Sequence, residues 1–192
     1  MKRFLPLLLA CVPVVSICAQ DAKTNAPADG KKPDAAAGST TSTGGVLGLS
    51  FPASAGTISA PFVLTNGYLF QPEARAELGE GGKAVYDFAI TNAGDYVIHA
   101  IVNAPAEDSN SFFLNVDVKP EDPLMIWDID PTTGFEERVV SWRGDGSDGA
   151  DQFAPKIFRL AEGKHQLILF GREPDAQLKS ISIQPAKAAP KQ

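Results

Sequence analysis

The residues best suited to recognition chemistry are two tryptophans. Trp127, in MIWDID, and Trp142, in SWRGDG, are the only tryptophans, and each stands among polar residues. A flat aromatic ring can stack on the C–H face of a sugar ring, so both indoles are candidate ligand-binding platforms. Core packing is the alternative for both. Tyr68 and Phe70 lie in an apolar run and are interpreted as core residues.

Four polar residues could orient a hydroxyl-rich ligand beside such rings. Asn110 precedes a predicted strand, Asp117 closes it, and Arg172 and Glu173 occupy the loop between the last two predicted strands. Loops gather at the ends of a β-sandwich, so these residues can converge although they are distant in sequence. Alternatively, Arg172 and Glu173 form an ion pair that fixes the loop, and Asn110 hydrogen-bonds to its own backbone.

Catalytic motifs do not appear in the sequence. His99 and His165 are the only histidines, and both lie in predicted strands. The chain has no G-x-S-x-G elbow, no phosphate-binding glycine loop before a helix, and no pair of histidines at zinc-ligand spacing. Its 23 acidic residues could supply a glycosidase pair, but a small, helix-poor domain offers no evident deep cleft. We therefore expect a non-catalytic binding module.

The elements that must position these residues are short strands. Apolar and polar residues alternate in KAVYDFAIT, DYVIHAIV, FFLNVDV, HQLILF and LKSISI, and a period of two is typical of β-strands with one buried face. Residues 92–94, 161–163 and 174–175 supply the Gly, Asn, Asp or Pro needed for chain reversal. The fold class predicted is all-β, an antiparallel β-sandwich of the jelly-roll type. The side chains predicted to face the core include Ala84, Tyr86, Phe88, Ile90, Tyr96, Ile98, Ala100, Val102, Phe112, Leu114, Val116 and Val118.

Composition divides the chain into four segments. Residues 1–19 combine Lys2 and Arg3 with a short apolar run, which predicts a cleaved secretory signal peptide. A lipid anchor on Cys11, within LLAC, is the alternative. Residues 20–57 are rich in Ala, Gly, Ser and Thr and are predicted to be a flexible linker. Residues 58–186 form the predicted domain, and residues 187–192 a disordered tail.

Charge and cysteine content exclude several classes of function. The only cysteines, Cys11 and Cys18, lie in the predicted signal peptide, so the exported chain would have no thiol chemistry. Removal of Lys2 and Arg3 from the 17 basic residues leaves 15 against 23 acidic ones, a net charge of −8. No cluster of Lys and Arg is present to bind nucleic acid or an anionic membrane. The acidity suits neutral, hydroxyl-rich ligands better than polyanions.

Three separated blocks carry a family resemblance. AGDYVIHAIVNAP, NSFFLNVD and AEGKHQLILFGREPDAQL follow one another in an order that resembles the galactose-binding-like jelly rolls found as carbohydrate-binding modules of families 6 and 35 in secreted bacterial proteins. The resemblance implies a two-sheet sandwich that binds a glycan without transforming it, and it does not identify the sugar.

Many members of these families also hold a structural calcium ion. Here Glu73 and Glu77 come later in the first strand region than that pattern expects, and Lys179 stands where the last strand often has Asp. An ammonium group cannot bind calcium, so we expect this site to be absent or altered, and no other cofactor is predicted. The acidic run 145–151 lacks EF-hand spacing and is interpreted as a solvated loop.

The sequence therefore predicts a secreted or periplasmic module that binds a polysaccharide or glycan terminus and has no membrane span. The alternative is a surface structural or adhesion domain whose partner is another protein and which uses the sandwich only as a scaffold.

Overall fold

The computed structural model describes residues 39–41, 48–75, 77–143 and 152–187, and this region is built from strands and one 3₁₀ turn at Ala53–Ala55. Every strand pairing is antiparallel, which confirms the predicted fold class. Sheet I contains β1 (Ser39–Thr41), β2 (Gly48–Pro52), β4 (Val63–Thr65), β5 (Tyr68–Phe70), β7 (Gly94–Asn103), β10 (Glu136–Val139), β11 (Phe158–Leu160) and β13 (Gln177–Pro185). Sheet II contains β3 (Thr57–Ser59), β6 (Lys83–Ile90), β8 (Ser111–Val116), β9 (Ile126–Asp128) and β12 (Gly163–Gly171), in the order β3-β6-β12-β8-β9.

The core lies between the two sheets and follows the predicted alternation. Side chains from β6 and β8 of sheet II pack in one cluster with side chains from β7 and β13 of sheet I. Along β6 and β7 every second residue is buried, as a pleated strand with one inward face requires. Val118 is the exception among the predicted core residues: it is 62% exposed, because β8 ends at Val116 and Asp117 takes a positive φ of 63° that turns the chain away.

Both faces of β8 are buried, which the alternation did not predict. On the outer side of sheet II, Phe113 packs with Ile126, Ile168 and Phe170 in a second small cluster, against which Leu78 packs. The ammonium groups of Lys83 and Lys119 lie 5.8 and 5.9 Å from the Phe170 ring centroid. Leu78, in the loop before β6, thus covers part of this face.

The ordered domain begins earlier than the predicted boundary at residue 57. β2 pairs with β13 along Phe51 and its neighbours, and Phe51 is only 3% exposed. Ala53 is buried, and its carbonyl accepts a hydrogen bond from the Tyr86 hydroxyl at 3.0 Å. A Cβ on Gly56 would lie 2.8 Å from the Tyr86 ring, so the small residues of this stretch serve close packing. The predicted signal peptide and residues 20–38 lie outside the described residues.

Candidate functional site

One end of the sandwich carries an open polar depression of about 220 Å³, here called the end depression. It forms where β8 begins, β9 ends and the turn after β12 begins, since Ser111 pairs with Asp128 and Phe112 pairs with Gly171. Three of the six predicted binding residues meet there, as expected for loops at one end of a sandwich. Its lining comprises Glu107, Asn110, Asp128, Asp130, Pro131, Arg143, Gln152, Phe153, Arg172 and Glu173.

Arg172 and Glu173 form an ion pair that is anchored to the start of β8. The Arg172 Nη1 group donates to the Glu173 carboxylate and to the Ser111 hydroxyl, the latter at 2.7 Å. The other Glu173 oxygen accepts a hydrogen bond from the Asn110 backbone N–H at 2.9 Å. Both charged side chains are half-buried. The structural-pair alternative is therefore realised, while the Nε and Nη2 groups of Arg172 donate to no protein acceptor in the described part of the chain.

A second ion pair forms the opposite wall. Arg143 donates to both oxygens of Asp128, at 2.8 and 2.6 Å, and Gln152 donates to the same carboxylate at 2.8 Å. The hydrogen bond to Asp128 raises the pKa of Arg143, although partial burial opposes the shift. Asp128 is only 6% exposed, so it acts here as an internal anchor.

Phe153 is an aromatic residue at the end depression that the sequence analysis does not predict. Its side chain is 49% exposed and borders the end depression. The signal for it was available: Phe153 is an isolated aromatic residue in the polar run ADQFAP, where burial in a strand is not expected. An exposed ring beside hydrogen-bonding groups is the arrangement that sugar recognition uses.

Trp127 belongs to the core, so the prediction that it forms a ligand platform is not supported. It is 1% exposed, packs against Phe112 with ring centroids 6.1 Å apart, and donates its indole N–H to the Val139 carbonyl at 3.1 Å. That bond joins β9 of sheet II to β10 of sheet I. The polar neighbours in MIWDID suggested exposure, but β9 is buried on both faces.

Trp142 is half-buried, and its ring is already in contact with other side chains. The Lys156 ammonium lies 3.8 Å from the ring centroid, and Phe158 meets the indole edge-on at 5.9 Å. The indole N–H donates to the Leu114 carbonyl at 3.0 Å. Trp142 therefore fastens the segment after β10 to β8, as Trp127 fastens β10 to β9, and both tryptophans correspond to the core-packing alternative.

Asp117 lies at the other end of β8, about 20 Å from Asn110 at the usual rise per residue of a strand. One of its oxygens accepts from the Gln166 backbone N–H at 2.9 Å, and the other contacts His165 Nδ1 at 2.7 Å. His165 Nε2 lies 2.8 Å from the Ala161 carbonyl. The prediction that Asp117 shares a site with Asn110 is wrong, because the two residues flank the same strand.

Gln71 is a positioning residue that the sequence reasoning missed. It is fully buried; its Nε2 donates to the Arg172 carbonyl at 3.1 Å, and its Oε1 accepts from the Gly82 N–H at 3.1 Å. A Cβ on Gly171 would lie 1.9 Å from that same Oε1, so only glycine fits there. Gln71 thus sets where the loop that carries Arg172 leaves β12.

A second, partly exposed group of aromatic residues lies on the outer face of sheet I. Tyr68 and Phe70 flank the buried Leu69 and therefore point away from the core, which corrects their interpretation as core residues. The Tyr68 ring centroid lies 5.8 Å from that of Phe70 and 5.6 Å from that of Phe135. Lys179 places its ammonium 5.3 Å from the Phe135 centroid. We call Tyr68, Phe70 and Phe135 the outer aromatic cluster.

Among the described residues, no three or more His, Cys, Asp or Glu side chains gather in a group that could hold a metal ion. The acidic run 145–151 lies outside that region. The part of the chain that the structure describes contains no helix long and apolar enough to cross a bilayer.

Among known proteins, the chain matches solved structures but no family model and no curated sequence. A family 35 carbohydrate-binding module from Clostridium thermocellum is similar over 72% of this chain and 98% of that one, with 11% identity and a TM-score of 0.49. The C-terminal CBM6 of a laminarinase from Zobellia galactanivorans is similar over 71% and 98%, with 14% identity and a TM-score of 0.48.

A GH26-CBM35 β-(1,4)-mannanase from Podospora anserina is similar over 74% of this chain, with 10% identity and a TM-score of 0.49. The match covers 28% of the mannanase, so this chain corresponds to a minor part of that enzyme.

Proposed function

We propose that the protein binds a glycan at the end depression and does not transform it. The observation that carries the proposal is the exposed Phe153 ring beside a wall of hydrogen-bonding side chains. A sugar presents an apolar C–H face and a rim of hydroxyl groups, so its site needs a flat ring together with fixed donors and acceptors. The end depression offers both in one place.

The polar groups of the site are held in place before any ligand arrives. Arg172 is fixed by Ser111 and Glu173, and Gln152 is fixed by Asp128. Guanidinium and amide groups have more donors than these contacts use, so the same side chains can also donate to sugar hydroxyls. Groups that are already ordered lose little side-chain entropy on binding.

Two carboxylates of the depression, the buried Asp128 and the half-buried Glu173, serve the fold, which supports a binding role over a catalytic one. Asp128 accepts from Arg143 and Gln152, and Glu173 accepts from Arg172 and a backbone N–H. A glycosidase needs two carboxyl groups that reach the scissile bond from opposite sides. Here each of these carboxylates is engaged with its own neighbours.

The proposal includes export. The basic and apolar segment 1–19 would direct the chain out of the cytoplasm, to a secreted or periplasmic location where polysaccharides are accessible. Size comparison of the mature protein with the full chain, together with N-terminal sequencing of the exported form, tests this part.

Affinity electrophoresis of the protein produced from its full coding chain tests glycan binding. A panel of mannans, galactans, xylans and β-glucans is cast into native gels. At least one should retard the wild-type protein, and Phe153→Ala should weaken that retardation about tenfold, as expected for loss of a stacking ring. Phe135→Ala, in the outer aromatic cluster, is the matched control and should migrate as the wild type does.

Two results would contradict the proposal. No retardation by any polysaccharide would overturn glycan binding and favour the scaffold alternative. Retardation lost in Phe135→Ala and kept in Phe153→Ala would move the site to the outer aromatic cluster.

A further inference from the structure

The charges around the end depression are unequal. Among the residues that the structure describes, two basic ones line it, Arg143 and Arg172, and so do four acidic ones: Glu107, Asp128, Asp130 and Glu173. The formal charges of these six side chains sum to −2. Which ligands the site binds therefore depends on where each charge lies.

Both arginines are already neutralised by carboxylates of the fold. Arg143 makes a two-point contact with Asp128, at 2.8 and 2.6 Å, and Arg172 contacts Glu173. Each pair carries no net charge. An anionic group entering the depression would therefore meet no cation without a carboxylate beside it among these residues.

The remaining two carboxylates, Glu107 and Asp130, are exposed at the rim of the depression. Throughout the described ranges neither has a Lys, Arg or His partner within salt-bridge distance. Carboxylates at the mouth of a concave protein surface create a negative potential over the opening, because the protein wall screens them less than bulk water does.

We propose, building on the glycan-binding function proposed above, that Glu107 and Asp130 make the end depression a charge-selective site. It disfavours acidic sugars and accepts neutral ones. It favours sugars that carry an ammonium group over their neutral counterparts. A uronate brings a carboxylate towards two like charges, whereas an amino sugar replaces a hydroxyl with a cation that can pair with either carboxylate.

The expected size follows from the exposure of these groups. Solvent-exposed charge pairs have modest energies, so two of them together should change affinity about threefold to tenfold at low salt. The preference should vanish at about 1 M salt, where the screening length is about 3 Å.

The test compares three forms of one polysaccharide, chosen as a neutral polymer that retards the wild-type protein. In one form a fraction of the primary alcohols is oxidised to carboxylates, in another they are converted to amines, and the third is unmodified. Retardation is measured at about pH 5.5, above the usual range of carboxyl pKa values, with EDTA present so that calcium cannot bridge an acidic polymer to the protein.

The wild type should bind the aminated form most tightly and the oxidised form least. In Glu107→Gln combined with Asp130→Asn, the three forms should differ from one another in affinity by less than about twofold. Glu80→Gln combined with Glu162→Gln is the matched control: it removes two exposed carboxylates away from the depression and should keep the wild-type order.

Equal or tighter binding of the oxidised polymer, or an unchanged order in the Glu107 and Asp130 double variant, would overturn charge selection while leaving glycan binding intact. Absence of retardation by every unmodified polymer would overturn the function on which it rests.

Discussion

Gln71 shows at the scale of one residue how the candidate site is positioned. Its amide links the backbone of Gly82, just before β6, to the backbone of Arg172, which is 101 positions beyond Gln71 in the chain. Arg75 donates its backbone N–H to the same Arg172 carbonyl at 2.7 Å. Nothing in the local sequence around a single glutamine indicates such a role, since the pairing exists only in the folded chain.

Gln71→Ala should lower the free energy of unfolding by about 2–3 kcal/mol, because it leaves the buried Gly82 N–H without this acceptor and opens a cavity beside Gly171. Urea denaturation monitored by tryptophan fluorescence measures the change. Gln184→Ala is the control, since that half-buried amide contacts only Ser182 at 3.4 Å, and it should change stability by less than about 0.5 kcal/mol. Equal effects of the two substitutions would contradict the assigned role.

The two tryptophans illustrate the limit of reading a residue from its neighbours. Polar residues surround both in the sequence, yet Trp127 and Trp142 donate their indole N–H groups to backbone carbonyls inside the domain. A buried indole needs one acceptor, and the acceptor can come from any strand that passes nearby. Which strand passes is a property of the topology, so local polarity could not decide between platform and core.

At the scale of elements, β2 changes where the domain begins. The strand lies against β13 with Ser50 opposite Ser182 and Phe51 opposite Ile181. Its Gly, Ser and Pro residues are typical of a linker, but the small residues around the following 3₁₀ turn let the chain approach Tyr86 closely. Leu49 and Phe51 alternate along β2, but two apolar residues are too few to distinguish a period of two from chance.

A chain that starts at residue 58 should therefore lose its cooperative thermal transition. The deletion removes Phe51 from the core, leaves Tyr86 without its acceptor, and exposes the edge of β13. Loss of a buried Phe alone costs about 3–5 kcal/mol of a total stability of about 5–15 kcal/mol.

A chain that starts at residue 39 keeps β2 and is the control; it should melt in one transition, measured by near-ultraviolet circular dichroism. If the two chains melted at the same temperature, β2 would be dispensable and the predicted boundary at residue 57 would stand.

At the scale of the whole molecule, the end opposite the candidate site is fastened by a charged contact. His165 has an acceptor at each ring nitrogen, Asp117 on one side and the Ala161 carbonyl on the other. A neutral imidazole carries only one N–H, so both contacts are hydrogen bonds only when the ring is protonated. Partial burial lowers the pKa of His165, whereas the hydrogen bonds to Asp117 and Ala161 raise it. The hydrogen bonds outweigh burial, so the pKa of His165 lies above its usual value.

The contact between His165 and Asp117 should make the free energy of unfolding depend on pH. Because the folded-state pKa of His165 is raised, its contribution is fully present below the unfolded value of about 6.5 and is lost as pH rises through the folded value. The difference in unfolding free energy between wild type and His165→Gln should therefore shrink as pH increases above about 6.5. Denaturant titrations across this range measure it.

Asp117→Asn is the informative second variant, since asparagine tolerates the positive φ of this position but cannot hold the charge on His165. The difference in unfolding free energy between wild type and Asp117→Asn should likewise shrink as pH rises above about 6.5. A stability difference that stayed constant or grew with pH would contradict the assignment.

The sequence by itself determined the class of the fold and most of the core. Alternation along 84–90 and 96–102 is a local property of strands, because successive side chains point to opposite faces whatever lies next to them. It also indicated that Arg172 and Asn110 would meet, since loops at one end of a sandwich share a surface.

Only the tertiary structure decided which side chains complete the site. Asn110, Asp128, Arg143 and Arg172 come from four segments that pairing register brings together, and the same register separates Asp117 from them along one strand. The tertiary structure also buries Trp127 and leaves Phe153 exposed at the rim of the end depression. Burial and proximity depend on which strands are neighbours, and hydrogen bonding between segments distant in the chain sets that order.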